Sequence, residues 1–232
     1  MTHWAIFRPI LAGAELFPRL LAVIGGAIGV GLTFFLCAQF PISHADLPII
    51  VAPIGASAVL AFAVPASPLA QPWSVVGGNT ISALVGVAAA RYVPDAGVAA
   101  GVAVGGAILF MTLCRCLHPP GGAAALTAVI GSQSIHDAGF AFAFAPVALN
   151  SIALVSLAMF FHRMTGHSYP HQPLAPPAQV DEIRAAAGFH LEDIDRALAD
   201  MHESFDISRE DLDLLLSQAE LHALKRRGES PR

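Results

Sequence analysis

The chain has 232 residues, of which 55% are hydrophobic and 12% charged, and its mean hydropathy is +0.64. Soluble domains carry about twice that share of charge, so the composition excludes an ordinary soluble enzyme and a disordered chain and points to a polytopic membrane protein. The net charge of -5 hides a segregation: residues 1–177 hold four acids and five arginines, whereas residues 178–232 hold 13 acids and seven bases.

Residues 1–17 contain Trp4, Phe7, Arg8 and Phe17 and read as an interfacial segment with aromatic and arginine anchors. The first span is expected over Arg19–Phe40, with Gly25 and Gly29 at the spacing that lets helices approach closely in lipid. The run lacks a small-residue cleavage site followed by polar sequence, so it is expected to be a retained span rather than a signal peptide. A second apolar run covers Leu47–Val64, a third Trp73–Tyr92 and a fourth Gly97–Leu117. A short run follows from Gly121 to Gly131, and a last span is expected over Phe140–Phe161.

Two of these segments are short. Ile54–Val64 and Gly121–Gly131 have 11 residues each, about 16 Å of helix against a hydrocarbon core of about 30 Å. Both follow prolines, which suit a helix start and break a helix interior, so both read as half or broken helices. They also resemble each other: Pro53-Ile54-Gly55-Ala56-Ser57-Ala58-Val59 and Pro120-Gly121-Gly122-Ala123-Ala124-Ala125-Leu126 share four of seven positions. The expected architecture is all-α, a polytopic membrane helical bundle of two long–short–long repeats around a central site. If the short segments cross, there are six crossings and the repeats are inverted; if they re-enter, there are four. Arginine placement puts both termini in the cytoplasm in either case.

Residues 18–163 thus form the transmembrane domain. Residues 164–177 follow as a proline-rich linker, and residues 178–232 as an acidic cytoplasmic helical tail. Two tail helices are expected, over His190–Met201 and from Ser208, whose spacing to Asp211 resembles a capping box. Leu212, Leu215, Leu216 and Ala219 form an apolar stripe on the second, which calls for a cytoplasmic partner or another copy of the chain.

The run His118-Pro119-Pro120-Gly121-Gly122-Ala123 carries the most specific chemistry. Its prolines and glycines break the helix at membrane depth, where unpaired backbone belongs only beside a cavity. The following helix start would offer free N–H groups and a partial positive charge to an anion. His118 adds a group that titrates near neutral pH, and Arg115 a fixed charge. Pro53, Gly55, Ala56 and Ser57 would build the second half of the site. Asn79, with Thr80 and Ser82 nearby, and Asn150 with Ser151, are intramembrane polar groups that face the bundle or line a passage. Gly55-Ala56-Ser57 also resembles the serine motif of rhomboid proteases, for which His118 would have to be the base. His162, His167 and His171, like Cys114 and Cys116, lack clean metal spacing. No metal, cofactor or nucleic-acid partner is expected.

The His118–Ala123 run resembles the signature of the HPP family of integral membrane proteins. Gly55-Ala56-Ser57-Ala58, Ser67-Pro68-Leu69-Ala70-Gln71-Pro72-Trp73 and Gly77-Gly78-Asn79 are similar to its other blocks, over about residues 18–163. Some members carry histidine where this chain has Asn79. The segment from Phe205 to Leu221 resembles the one that precedes paired CBS domains in longer members. The resemblance implies a bacterial inner-membrane protein, and nitrite as substrate. The resulting expectation is a non-enzymatic transporter or channel for a small anion, in contact with the lipid bilayer. The alternatives are a channel for a small neutral solute, or a membrane sensor or scaffold that acts through its tail.

Overall fold

The computed structural model describes residues 16–40, 47–172, 191–201 and 205–227. These fall into two units, one reaching to residue 65 and resuming over 69–170, the other made of 66–68 with the residues from 171 onward. The interfacial segment expected over residues 1–17 lies almost wholly outside the described residues, as do residues 173–177 of the proline-rich linker.

The first unit contains α1 (Leu16–Cys37), α2 (Pro53–Ala63), α3 (Pro72–Tyr92), α4 (Ala96–Leu113), α5 (Pro120–Ile130), α6 (Gln133–Ala138) and α7 (Leu149–Thr165), with a π-helical stretch over Ala143–Ala148. Proline occupies the first helical position of α2, α3 and α5, where its missing N–H costs nothing. Asp95 caps α4 by accepting from the Val98 N–H at 2.8 Å. The α7 helix ends at Gly166, with φ of 75°, the left-handed stop that glycine favours.

Three expected boundaries change. The second run is helical only from Pro53, so the segment that begins at Leu47 is not a full span. The fourth ends at Leu113 rather than Leu117, because Arg115 takes a positive φ of 53° and turns the chain. The last span is interrupted: Ala145 is extended, with φ of -133° and ψ of 110°. Pro146 disfavours helical backbone at the residue before it and removes an N–H.

Burial in this unit is the reverse of a soluble protein. Leu20, Val23, Ile28, Phe35, Val98, Leu109 and Phe160 are exposed, while Ser57, Asn79, Ser82, His118, Asn150 and Ser151 are fully buried. Lipid offers no hydrogen-bond partners, so polar groups turn inward and apolar ones face out. Among the described residues, four helical stretches are long and apolar enough to cross a membrane: Pro18–Cys37, Pro72–Tyr92, Ala96–Leu113 and Ala143–Thr165. The chain is an all-α polytopic bundle. Within it α3 is central, packing against α4, α5 and α7; α2 lies against α1 and α7 and also meets α5.

The second unit contains α8 (Leu191–Met201) and α9 (Arg209–Arg227). The expected cap is present: the Asp211 N–H donates to the Ser208 hydroxyl at 3.1 Å. The apolar stripe expected on α9 lies open, with Leu212 half-buried and Leu215, Leu216 and Ala219 exposed. Among the described side chains of α9, Asp213, Ser217 and Leu221 are buried. Periodicity identifies a helix face but not which face the unit itself covers.

Candidate functional site

The starts of α2 and α5 meet at one point. Ser57, in the second turn of α2, and His118, two residues before α5, are both fully buried. The Ser57 Oγ lies 2.8 Å from the His118 Nε2. The other ring nitrogen, Nδ1, lies 2.8 Å from the Leu69 carbonyl, which can only accept, so Nδ1 carries the proton and donates. In the neutral ring Nε2 is then bare, and the Ser57 hydroxyl donates to it.

Asn79 of α3 extends the network. Its Nδ2 donates to Ser57 Oγ at 3.0 Å and to Ser151 Oγ at 3.2 Å. The Ser151 hydroxyl in turn donates to the Val147 carbonyl at 2.9 Å. Both serine protons are thus committed elsewhere, which fixes the amide with its nitrogen toward the serines. The Asn79 Oδ1 and the Ser82 Oγ, one turn along α3, are buried without a hydrogen-bond partner. Buried polar atoms left unpaired are uncommon and costly, so these two are candidate points for a ligand or water.

Of the expected site residues, Pro53, Ser57, Asn79, His118, Pro120 and Gly121 are buried in or beside this cluster. Gly55, Ala56, Arg115, Pro119 and Ala123 are exposed, and Gly122 is half-buried. A Cβ added at Gly122 or Gly55 meets nothing within 4 Å. Arg115 is three residues from His118 and takes a positive φ; it is exposed whereas the histidine is buried. The expected free N–H groups are also closed. The Gly121 and Gly122 amides donate to the His118 and Pro119 carbonyls at 2.8 and 3.0 Å, and those of Ile54 and Gly55 donate to Val51 and Ala52, both at 3.0 Å. Tight turns ahead of each half-helix satisfy these donors, and the prolines have none, so only the helix dipole remains as a lure for charge.

Two further polar residues hold the site. Asn150 accepts from the Val51 N–H at 3.0 Å and donates to the Ile49 carbonyl at 2.9 Å, fixing the approach to α2. His162, weighed as a metal ligand, donates from Nε2 to the Ala61 carbonyl at 2.8 Å near the end of α2, where helix carbonyls lack intrahelical partners. Close packing fixes the other side. A Cβ at Gly78 would lie 2.5 Å from the His118 Cβ, and one at Gly121 would lie 2.6 Å from the Ser82 Oγ.

The description "HPP, transmembrane region" matches residues 12–170. Two curated proteins of Dictyostelium discoideum, both described as transmembrane proteins, are similar. One is 36% identical over 131 residues, 54% of this chain and 46% of the relative. The other is 42% identical over 108 residues, 45% of this chain and 34% of the relative. The chain therefore spans less than half the length of these relatives. No solved structure matches. With the matched region covering more than half of the sequence and coinciding with the whole helical bundle, the chain belongs to the HPP family of transmembrane proteins.

Proposed function

We propose that the chain is a transporter or channel for a small anion, nitrite being the leading candidate from family resemblance. It would work in the bacterial inner membrane with both termini cytoplasmic, and catalyse no chemistry. One observation carries this reading: two half-helices of 11 residues meet at a fully buried polar cluster that keeps an unpartnered carboxamide oxygen and an unpartnered hydroxyl. A bundle that only needed to pack would place apolar side chains there, since half-satisfied polar networks destabilise a core.

The test is uptake of a panel of anions by proteoliposomes containing the purified full chain. Saturable nitrite uptake is expected, nearly abolished in Gly122→Leu. Because open space surrounds Gly122, the added side chain fills the space beside the helix start without a clash. Uptake by Gly122→Leu equal to that of the parent would put the passage elsewhere.

A neutral solute is the second reading, favoured by the closed amides and by the exposure of Arg115. It predicts flux of small uncharged solutes that competing anions leave unchanged. The Ser57–His118 spacing also matches that of a nucleophile and its base. For the transport reading, a serine-directed fluorophosphonate should leave Ser57 unlabelled.

A further inference from the structure

We propose that His118 and Ser57 form a proton-accepting pair, so that each anion crosses together with one proton and without net charge. This rests on the transport reading above. The geometry lies in the choice of acceptors open to one hydroxyl. The Ser57 Oγ is 2.8 Å from the His118 Nε2 and 3.1 Å from the Pro53 carbonyl. In the neutral state the hydroxyl proton points to Nε2.

When a proton arrives from hydronium, an N–H bond forms at Nε2, an O–H bond of the hydronium breaks, and the positive charge comes to rest on the imidazolium. The hydrogen bond then reverses. Nε2–H donates to Ser57 Oγ, and the serine proton swings to the Pro53 carbonyl. Nδ1–H remains on the Leu69 carbonyl throughout. Every donor keeps an acceptor in both states, and only a hydroxyl rotation separates them. A buried histidine with a single fixed partner set would lose a bond on protonation; this one does not.

The surroundings explain why a proton is needed. Ser57 and the Pro53 carbonyl face the ring from α2. Gly78 and Asn79 approach from α3, and the Leu69 carbonyl from the segment before it; none of these is charged or titrates. On the histidine's own turn, Cys116 is buried, while Cys114 and Arg115 are exposed. The Tyr169 hydroxyl binds the Ala70 carbonyl at 2.8 Å, one residue beyond Leu69. A bare anion brought here loses its hydration with no fixed cation in return, a cost of many kcal/mol in an apolar interior. The imidazolium supplies the missing charge. The unpartnered Ser82 hydroxyl can donate to the anion, and the unpartnered Asn79 Oδ1 can accept from its conjugate acid.

The experiment uses the full chain in proteoliposomes with a lumenal pH dye, membrane potential clamped by potassium and valinomycin, nitrite as the probe, and protein-free vesicles subtracted. The expected result is one proton entering per nitrite, with a rate that ignores the potential and rises as pH falls. His118→Gln, which keeps a polar side chain but cannot titrate, should lower flux at least about tenfold, the worth of one charge-assisted hydrogen bond. What flux remains should respond to the potential. Ser57→Thr, which retains the hydroxyl, should keep the coupling, whereas Ser57→Ala should lose the rise at low pH. Nitrite flux by the parent that follows the potential without proton uptake overturns the proton pair and leaves the transport reading standing. Absence of flux of nitrite and of every other small anion of the panel, with or without flux of neutral solutes, overturns both.

Discussion

The two half-helices share a length and a proline start, yet they are held in place differently. α2 is gripped by side chains of α7. Asn150 binds the backbone on both sides of Ile50, and His162 binds the carbonyl of Ala61. α5 is held instead by backbone set against backbone. A Cβ at Gly86 of α3 would lie 2.3 Å from the Ala125 carbonyl oxygen and 2.8 Å from the Ala125 Cα. A grip made of hydrogen bonds yields one bond at a time. A backbone approach has no flexible part and fails as a unit. The Ser57–His118 contact joins the two, so it pairs a residue from the adjustable half with one from the rigid half.

Gly86→Ala should therefore have the largest effect. The atoms that its Cβ meets are all main-chain atoms of Ala125, so α3 and α5 have to separate. The expected loss is about 3 kcal/mol, the upper end of the range for overpacking, read as a lower unfolding midpoint of the purified protein in a detergent titration. Gly101→Ala on α4 is the control. Its Cβ meets nothing within 4 Å, and stability should stay within about 0.5 kcal/mol of the parent. Equal effects at the two glycines would refute the backbone-contact account of α5.

Asn150→Leu comes next, at about 2 kcal/mol. The substitution removes two hydrogen bonds and strands the amide of Val51, a residue that is only 2% exposed. Hydrogen exchange should rise at Val51 and the first turn of α2, while α5 amides keep their protection. His162→Leu strands the Ala61 carbonyl and should cost about 1.5 kcal/mol, with faster exchange confined to the last turn of α2. Loss of protection in α5 in either variant would mean that the halves are not held separately.

The sequence made some of this visible and hid the rest for definite reasons. The short helices were legible because proline and length are local signals; they begin at the prolines that marked them, Pro53 and Pro120. Ser57 and His118 were legible as polar residues in apolar surroundings. The clamps were not, since Asn150 and Val51 are 99 residues apart, and His162 and Ala61 are 101 apart. A single chain carries no record of such pairings. Arg115 was legible as a charge three residues from His118, but its exposure beside a buried histidine was not, because burial is set by packing against distant segments. The break at Ala145 was hidden because a hydropathy window averages over Pro146, although the proline itself was a usable signal.

Tyr169→Phe should give the smallest effect and shows whether side chains also tune the rigid half. The Tyr169 hydroxyl donates to the Ala70 carbonyl, and the neighbouring Leu69 carbonyl receives the His118 ring. Tyr169 is 7% exposed, and burial pushes its phenol pKa up, so it remains a donor wherever the protein is folded. The variant keeps the ring and loses the one hydrogen bond from its hydroxyl to the Ala70 carbonyl. The loss should be about 1 kcal/mol. The segment carrying Leu69 should then loosen. The informative readout is the His118 Nδ1 proton, observed by NMR in labelled protein: its exchange should quicken while exchange in α2 stays the same. A stability loss with unchanged His118 exchange would show that Tyr169 anchors only its own segment, and that α5 owes its position to packing alone.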